Sequence, residues 1–205
     1  ILGLTALGRA LLGRALTWGV WAYSDSAEYI VSARMLLAGR GLGIPAPDGG
    51  FMPLSLHPPL YSLVISLFLL LGAHPLDALP AFNLILFGLT VLLSGGLVYF
   101  LSRDPLLAAA FCALTVLPAT MLRNFDGAMS EPLYFPLSIA ATLTAAWYWH
   151  APRRRLAIAA GILTGLAGLT RYTGLALLAA GLLIILLSAG PLRRRLADAA
   201  LFSAL

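Results

Sequence analysis

The chain has 205 residues, 60% of them hydrophobic and only 10% charged, and its mean hydropathy is +0.94. That apolar content exceeds what a soluble domain carries and places the chain in the polytopic membrane class. All 13 basic residues are arginine and the net charge is +5; the triplets Arg153-Arg154-Arg155 and Arg193-Arg194-Arg195, each set between apolar runs, read as cytoplasmic anchors and not as a nucleic-acid surface.

Lipid offers no partners to backbone N–H and C=O groups, so spanning elements are helices or a closed barrel, and the long unalternating Leu/Ala/Ile/Val runs exclude a barrel. The expected fold is all-α, a polytopic integral membrane helical bundle formed by residues 1–205 as a single transmembrane domain. The lone Cys112 rules out an internal disulfide framework. The chain opens on Ile1 and stops at Leu205 inside an apolar stretch, so a longer protein is expected. The first segment lacks a small-residue cleavage pattern and is expected to stay as a helix.

The first run, Ile1 to about Tyr23, is long enough to cross about 30 Å of hydrocarbon at about 1.5 Å per residue. Residues 24–59 form the first extracytoplasmic loop, with a juxtamembrane helix from Asp25 to Ala38 and a Gly/Pro-rich part from Gly39 to Pro53. Asp25-Ser-Ala-Glu28 has the spacing of a capping box, with Asp25 as the N-cap. The run at 60–71 is short for a span and is expected to be a non-crossing helix. Longer runs follow at 78–101, 106–122 and 133–149, and a helical hairpin at 156–192 turns near Thr170-Arg-Tyr-Thr-Gly174. Six spans result, and a seventh starts at Leu196.

With Arg103 and both triplets cytoplasmic, the outer face collects Asp25, Glu28, Arg34, Arg40, His57, Arg123, Asp126, Glu131 and Arg171. Arginines on that side run against the positive-inside bias and point to an anionic partner such as a phosphate. Asp25 reads either as a plain helix cap or as a general base, with Glu28 one turn away on the same face. Ser130-Glu-Pro132 also reads as an ordinary helix start, His57 before two prolines as a turn residue, and Tyr29, Tyr61, Tyr134 and Tyr172 as interfacial aromatics. No phosphate loop, dinucleotide fingerprint, zinc spacing or serine-nucleophile elbow is present.

Taken together, Asp25-x3-Tyr29, Ala33-Arg34, Gly39-Arg-Gly41, His57-Pro-Pro-Leu-Tyr61, Arg123, Met129-Ser-Glu-Pro-Leu133 and Leu169-Thr-Arg-Tyr172 resemble the amino-terminal half of a C-superfamily glycosyltransferase. The resemblance is to the protein O-mannosyltransferase and lipid A aminoarabinose transferase group. It implies transfer of a sugar from a polyprenyl-phosphate donor to a protein or lipid acceptor, on the extracytoplasmic side of the cell membrane. It implies Asp25 as the first-loop catalytic acid and Glu131 as the acid of a later helix, the pair being candidates for a divalent metal ion. His57 matches the position that approaches the donor phosphate, and Glu28, Tyr29, Arg34, Tyr61, Arg123 and Arg171 complete the expected substrate site. Relatives place a second acid directly after the first, where this chain has Ser26, and they carry more spans. The alternative expectation is therefore an inactive, shortened relative serving as a structural subunit beside other membrane subunits.

Overall fold

The computed structural model describes residues 1–204. Ten α-helices carry most of them: α1 (Leu2–Ala15), α2 (Ser24–Leu37), α3 (Leu60–Leu70), α4 (Pro75–Ser102), α5 (Pro105–Val116), α6 (Ala119–Phe125), α7 (Glu131–His150), α8 (Arg154–Thr170), α9 (Leu175–Leu187) and α10 (Leu192–Ser203). The helical expectation holds except in the Gly/Pro-rich stretch, where β1 (Gly43–Pro45) and β2 (Phe51–Pro53) pair antiparallel with Ile44 opposite Met52. Gly39, Gly41 and Gly49 all have positive φ there, which ends α2 and lets the chain fold back on itself.

The 28-residue α4 is the axis, packed against α1, α5 and α7. Leu12 and Leu16, Phe87 and Val91 of α4, Val116 of α5 and Phe125 of α6 form one buried cluster. A small residue is required where α1 crosses: a Cβ on Gly8 would lie 2.8 Å from the Phe87 ring. A second cluster joins the later helices through Tyr148, Ala157, Ile185 and Phe202. A third joins Tyr29 and Ala33 of α2, Tyr61 and Ile65 of α3, Leu79 of α4 and Ala128. That cluster holds α3 and the first turns of α4 at one end of the bundle.

The two ends differ in charge. At one, Arg153 caps α8, and the second triplet lies in α10. At the other, the start of α2, the loop 126–130, the start of α7 and the end of α8 meet. Asn83 of α4 pins that loop, donating to the carbonyls of Phe125 at 2.8 Å and Gly127 at 3.0 Å.

Several expected boundaries move. The first run is not one helix: α1 ends at Ala15, a 3-10 turn covers Leu16–Trp18, and Gly19 at φ 91° turns the chain into an extended segment. The run 106–122 is broken ahead of Pro118, leaving α5 and α6 bent by 65° because proline removes a helical donor and disfavours helix at the preceding residue. The last helix starts at Leu192, so Arg193–Arg195 lie inside it and not before it. Among the described residues, α4 is long and apolar enough to cross a membrane, and α5 with α6 adds a second if the bent pair is one span. The expected six runs are thus not matched by six helices of crossing length; α1, α5 and α9 have 14, 12 and 13 residues, against about 20 for a full span.

Candidate functional site

The entry into α2 is fixed by backbone pairing. Trp21 N–H donates to the Asp126 carbonyl and Ala128 N–H to the Trp21 carbonyl, both at 2.8 Å, so the loop before α7 and the lead into α2 lie side by side. Tyr23, in extended conformation, is the N-cap, and its N–H donates to Ser26 Oγ at 2.9 Å. The expected capping box with Asp25 as cap is therefore corrected: the N-cap lies two residues earlier, at Tyr23, and Ser26 performs the reciprocal half of the box. Asp25 is left in the first turn, accepting only from Ser24 Oγ at 3.1 Å. Glu28 turns to His57 instead of to the helix end.

From there a polar chain crosses the end of the bundle. His57 Nε2 lies 3.4 Å from Glu28 Oε2 and 3.9 Å from Asp25 Oδ2, while its Nδ1 lies 3.3 Å from the Tyr29 hydroxyl. That hydroxyl is 3.2 Å from Ser130 Oγ. Arg171 donates through Nη1 to Ser130 Oγ at 3.2 Å and pairs with Glu131 Oε1 at 2.6 Å. Arginine can only donate, and both Arg171 Nη1 and the Tyr29 hydroxyl donate to Ser130 Oγ. His57 links that pair to the acids, with its Nδ1 on the Tyr29 hydroxyl and its Nε2 on Glu28.

These residues line a cavity of about 180 Å³, whose walls include Asp25, Tyr29, His57, Ser130, Glu131 and Arg171. Tyr172 Oη donates to the Ser55 carbonyl at 2.9 Å, tying the turn after α8 to the loop that carries His57. Tyr29 is only 2% exposed, and burial pushes its pKa above the ordinary tyrosine value, outweighing the effect of its hydrogen bond with Ser130. It stays a neutral hydroxyl at physiological pH. Tyr61 stands edge-on to it with ring centres 4.9 Å apart, and burial raises its pKa as well. In the loop below, burial raises the Asp126 carboxyl, only partly offset by Arg123.

Of the expected site residues, the fold brings together Asp25, Glu28, Tyr29, His57, Glu131 and Arg171, with Tyr61 packed beneath. Arg34 and Arg123 are exposed on α2 and α6 and line no part of this cavity. His57 faces two acids, where the resemblance implied a phosphate. Among the described residues no group of three His, Cys, Asp or Glu side chains is arranged to hold an ion. Glu131 already has a guanidinium on it, so the Asp25 and Glu131 pair does not fit a divalent cation. Sequence reading passed over Ser130, expected as a cap. It occupies the N-cap position but makes no side-chain cap bond, because its hydroxyl is taken by Tyr29 and Arg171. Only the adjacency of Ser130 to Glu131 hinted at this.

Comparison with protein-family models, with curated proteins and with solved structures gives no match. The functional reading therefore rests on the site itself.

Proposed function

We propose that this chain is the membrane part of a glycosyltransferase that moves a sugar from a polyprenyl-phosphate donor to an acceptor hydroxyl or amine on the extracytoplasmic side. The observation that carries this reading is the convergence of α2, the 54–59 loop, α7 and α8 on one cavity holding acids, an imidazole and an arginine. It lies at the end of the bundle away from the arginine triplets, which on the positive-inside rule is the outer end. The bundle is read as polytopic, with α3 confined to that outer end.

A polyprenyl phosphate is an acceptable leaving group, so the reaction needs a base for the acceptor and positive charge for the departing phosphate. The acceptor oxygen or nitrogen bonds to the anomeric carbon, the carbon–oxygen bond to the phosphate breaks, and the acceptor proton passes to Asp25. Asp25 is the most open acid of the cluster, with 40% of its side chain exposed. Arg171 takes the phosphate charge. The small cavity suits the phosphate and sugar, and the isoprenoid stays in lipid. Asp25→Asn is expected to abolish transfer in membranes while expression and insertion remain normal; full activity would sink the assignment.

One observation favours a second reading, a catalytically inactive structural subunit. Arg171 and Glu131 satisfy each other at 2.6 Å, as they would in a site kept only for packing. Failure of Arg171→Gln to change binding of a polyprenyl phosphate would favour that reading.

A further inference from the structure

We propose that the opposite end of the bundle binds the phosphate headgroup of an anionic membrane phospholipid, between Trp147 and the side chains of Arg153 and Arg155. This rests on the membrane reading above but not on the transferase chemistry. The turn from α7 into α8 encloses a cavity of about 370 Å³ lined by Trp147, Ala151, Arg153, Arg155 and Leu156.

Of the arginines at this end without an ion pair or side-chain hydrogen bond among the described residues, Arg153 and Arg155 line the cavity and Arg193 does not. Asp198, fully buried, faces Arg154 and Arg194, each at 3.7 Å. Arg194 also donates to the Pro152 carbonyl and Arg195 to the Leu186 carbonyl. Arg103 lies over the Phe100 ring at 5.4 Å, and Asp104 is occupied capping α5. Among the described residues, Arg153 and Arg155 have neither an ion pair nor a side-chain hydrogen bond. Two unspent guanidinium forks at the start of a 17-residue helix are matched to phosphate oxygens, and the helix dipole adds to the attraction.

The cavity wall argues for a lipid over a soluble anion. Trp147 is 54% exposed and packs against Phe100 at 6.2 Å; tryptophan in such a position sits at headgroup level with its apolar body toward acyl chains. Leu156 continues that wall. A basic pocket between helices at the cytoplasmic face is the arrangement that retains anionic headgroups.

The test is native mass spectrometry of the full chain in mild detergent, with phosphatidylglycerol or phosphatidylcholine added. Each arginine is expected to contribute about 5-fold, so wild type should retain one phosphatidylglycerol about 25-fold over phosphatidylcholine. Arg153→Gln/Arg155→Gln should erase that preference, and Arg34→Gln/Arg40→Gln at the other end should keep it. Equal retention of both lipids, equal loss in both variants, or displacement of the lipid by millimolar inorganic phosphate overturns the proposal. If the neutral variant does not insert, Arg153→Lys/Arg155→Lys is read in its place: it keeps the charge, should lose at least half the preference with the fork, and overturns the proposal if unchanged. Carbonate extraction separates the two readings. Release of the wild-type chain by carbonate refutes membrane insertion and this site with it, whereas a retained chain without lipid preference refutes the site alone.

Discussion

Arg171, which ends α8, sets its guanidinium 2.6 Å from the carboxylate of Glu131, the first residue of α7. The pair closes the cavity wall and also hides the cation that a phosphate would need. Under the proposed transferase function, a donor phosphate has to compete with Glu131 for Arg171. Substitutions at the two positions should separate binding from turnover.

Glu131→Gln is expected to bind a short-chain polyprenyl phosphate about 5-fold more tightly, the value of a partly exposed ion pair released to the ligand. Arg171→Gln should weaken that binding and lower transfer by about 100-fold or more. Titration of the labelled lipid phosphate against both variants checks the opposite signs; equal weakening by both would refute competition.

Tyr29→Phe keeps the ring but removes the hydroxyl that joins His57 to Ser130. Buried Ser130 and half-buried His57 each lose a hydrogen bond, at a cost of about 1 kcal/mol. Thermal unfolding in detergent should register the loss as a lower midpoint, and an unchanged midpoint would refute it.

Alkaline pH should act through the same tyrosines. The folded-state pKa values of Tyr29 and Tyr61 are raised above the ordinary value. The folded chain thus keeps those protons longer than the unfolded chain does. Their contribution is complete below about pH 10 and is lost as pH rises beyond it. The unfolding midpoint should fall above that pH, and Tyr29→Phe/Tyr61→Phe should flatten the decline.

Asp126 gives the same linkage at the acidic end of the scale. Its raised pKa is caused by burial, and its Oδ1 has no hydrogen-bond partner, so the ionised form costs the fold stability as pH rises through the folded pKa. Asp126→Asn should raise the melting midpoint at neutral pH by roughly 2 °C and make little difference below about pH 3. An unchanged or lower midpoint at pH 7 would refute the burial argument.

Asp198→Ala should be the most damaging change at the other end. Tyr148 donates to its Oδ2 at 2.8 Å, so removal leaves that buried hydroxyl without its partner and opens a cavity, at a cost of about 2 kcal/mol, while Arg154 and Arg194, 67% and 44% exposed, turn to solvent. Tyr148→Phe removes one bond and should cost about 1 kcal/mol. Comparing the two midpoints checks the ranking.

Composition and hydropathy determined that the chain is helical, where its apolar runs lie, and which residues belong to each end, because burial preference and charge avoidance act locally along the chain. The turn at 170–174 and the short helix after Pro59 were legible for that reason. The helix breaks at Gly19 and before Pro118 were present as residues but were outweighed by the apolar runs around them. What only the tertiary structure decided is partnership. Glu28 and His57 are 29 positions apart, and Ser130 and Arg171 are 41 apart, with no periodicity linking either pair. Packing of α2 on α3 and of α7 on α8 brought them within reach, and left Arg34 and Arg123 in solvent. The cap passed from Asp25 to Tyr23 and Ser26 because Trp21 pairs with the 126–128 backbone, a distant constraint that fixed where α2 begins.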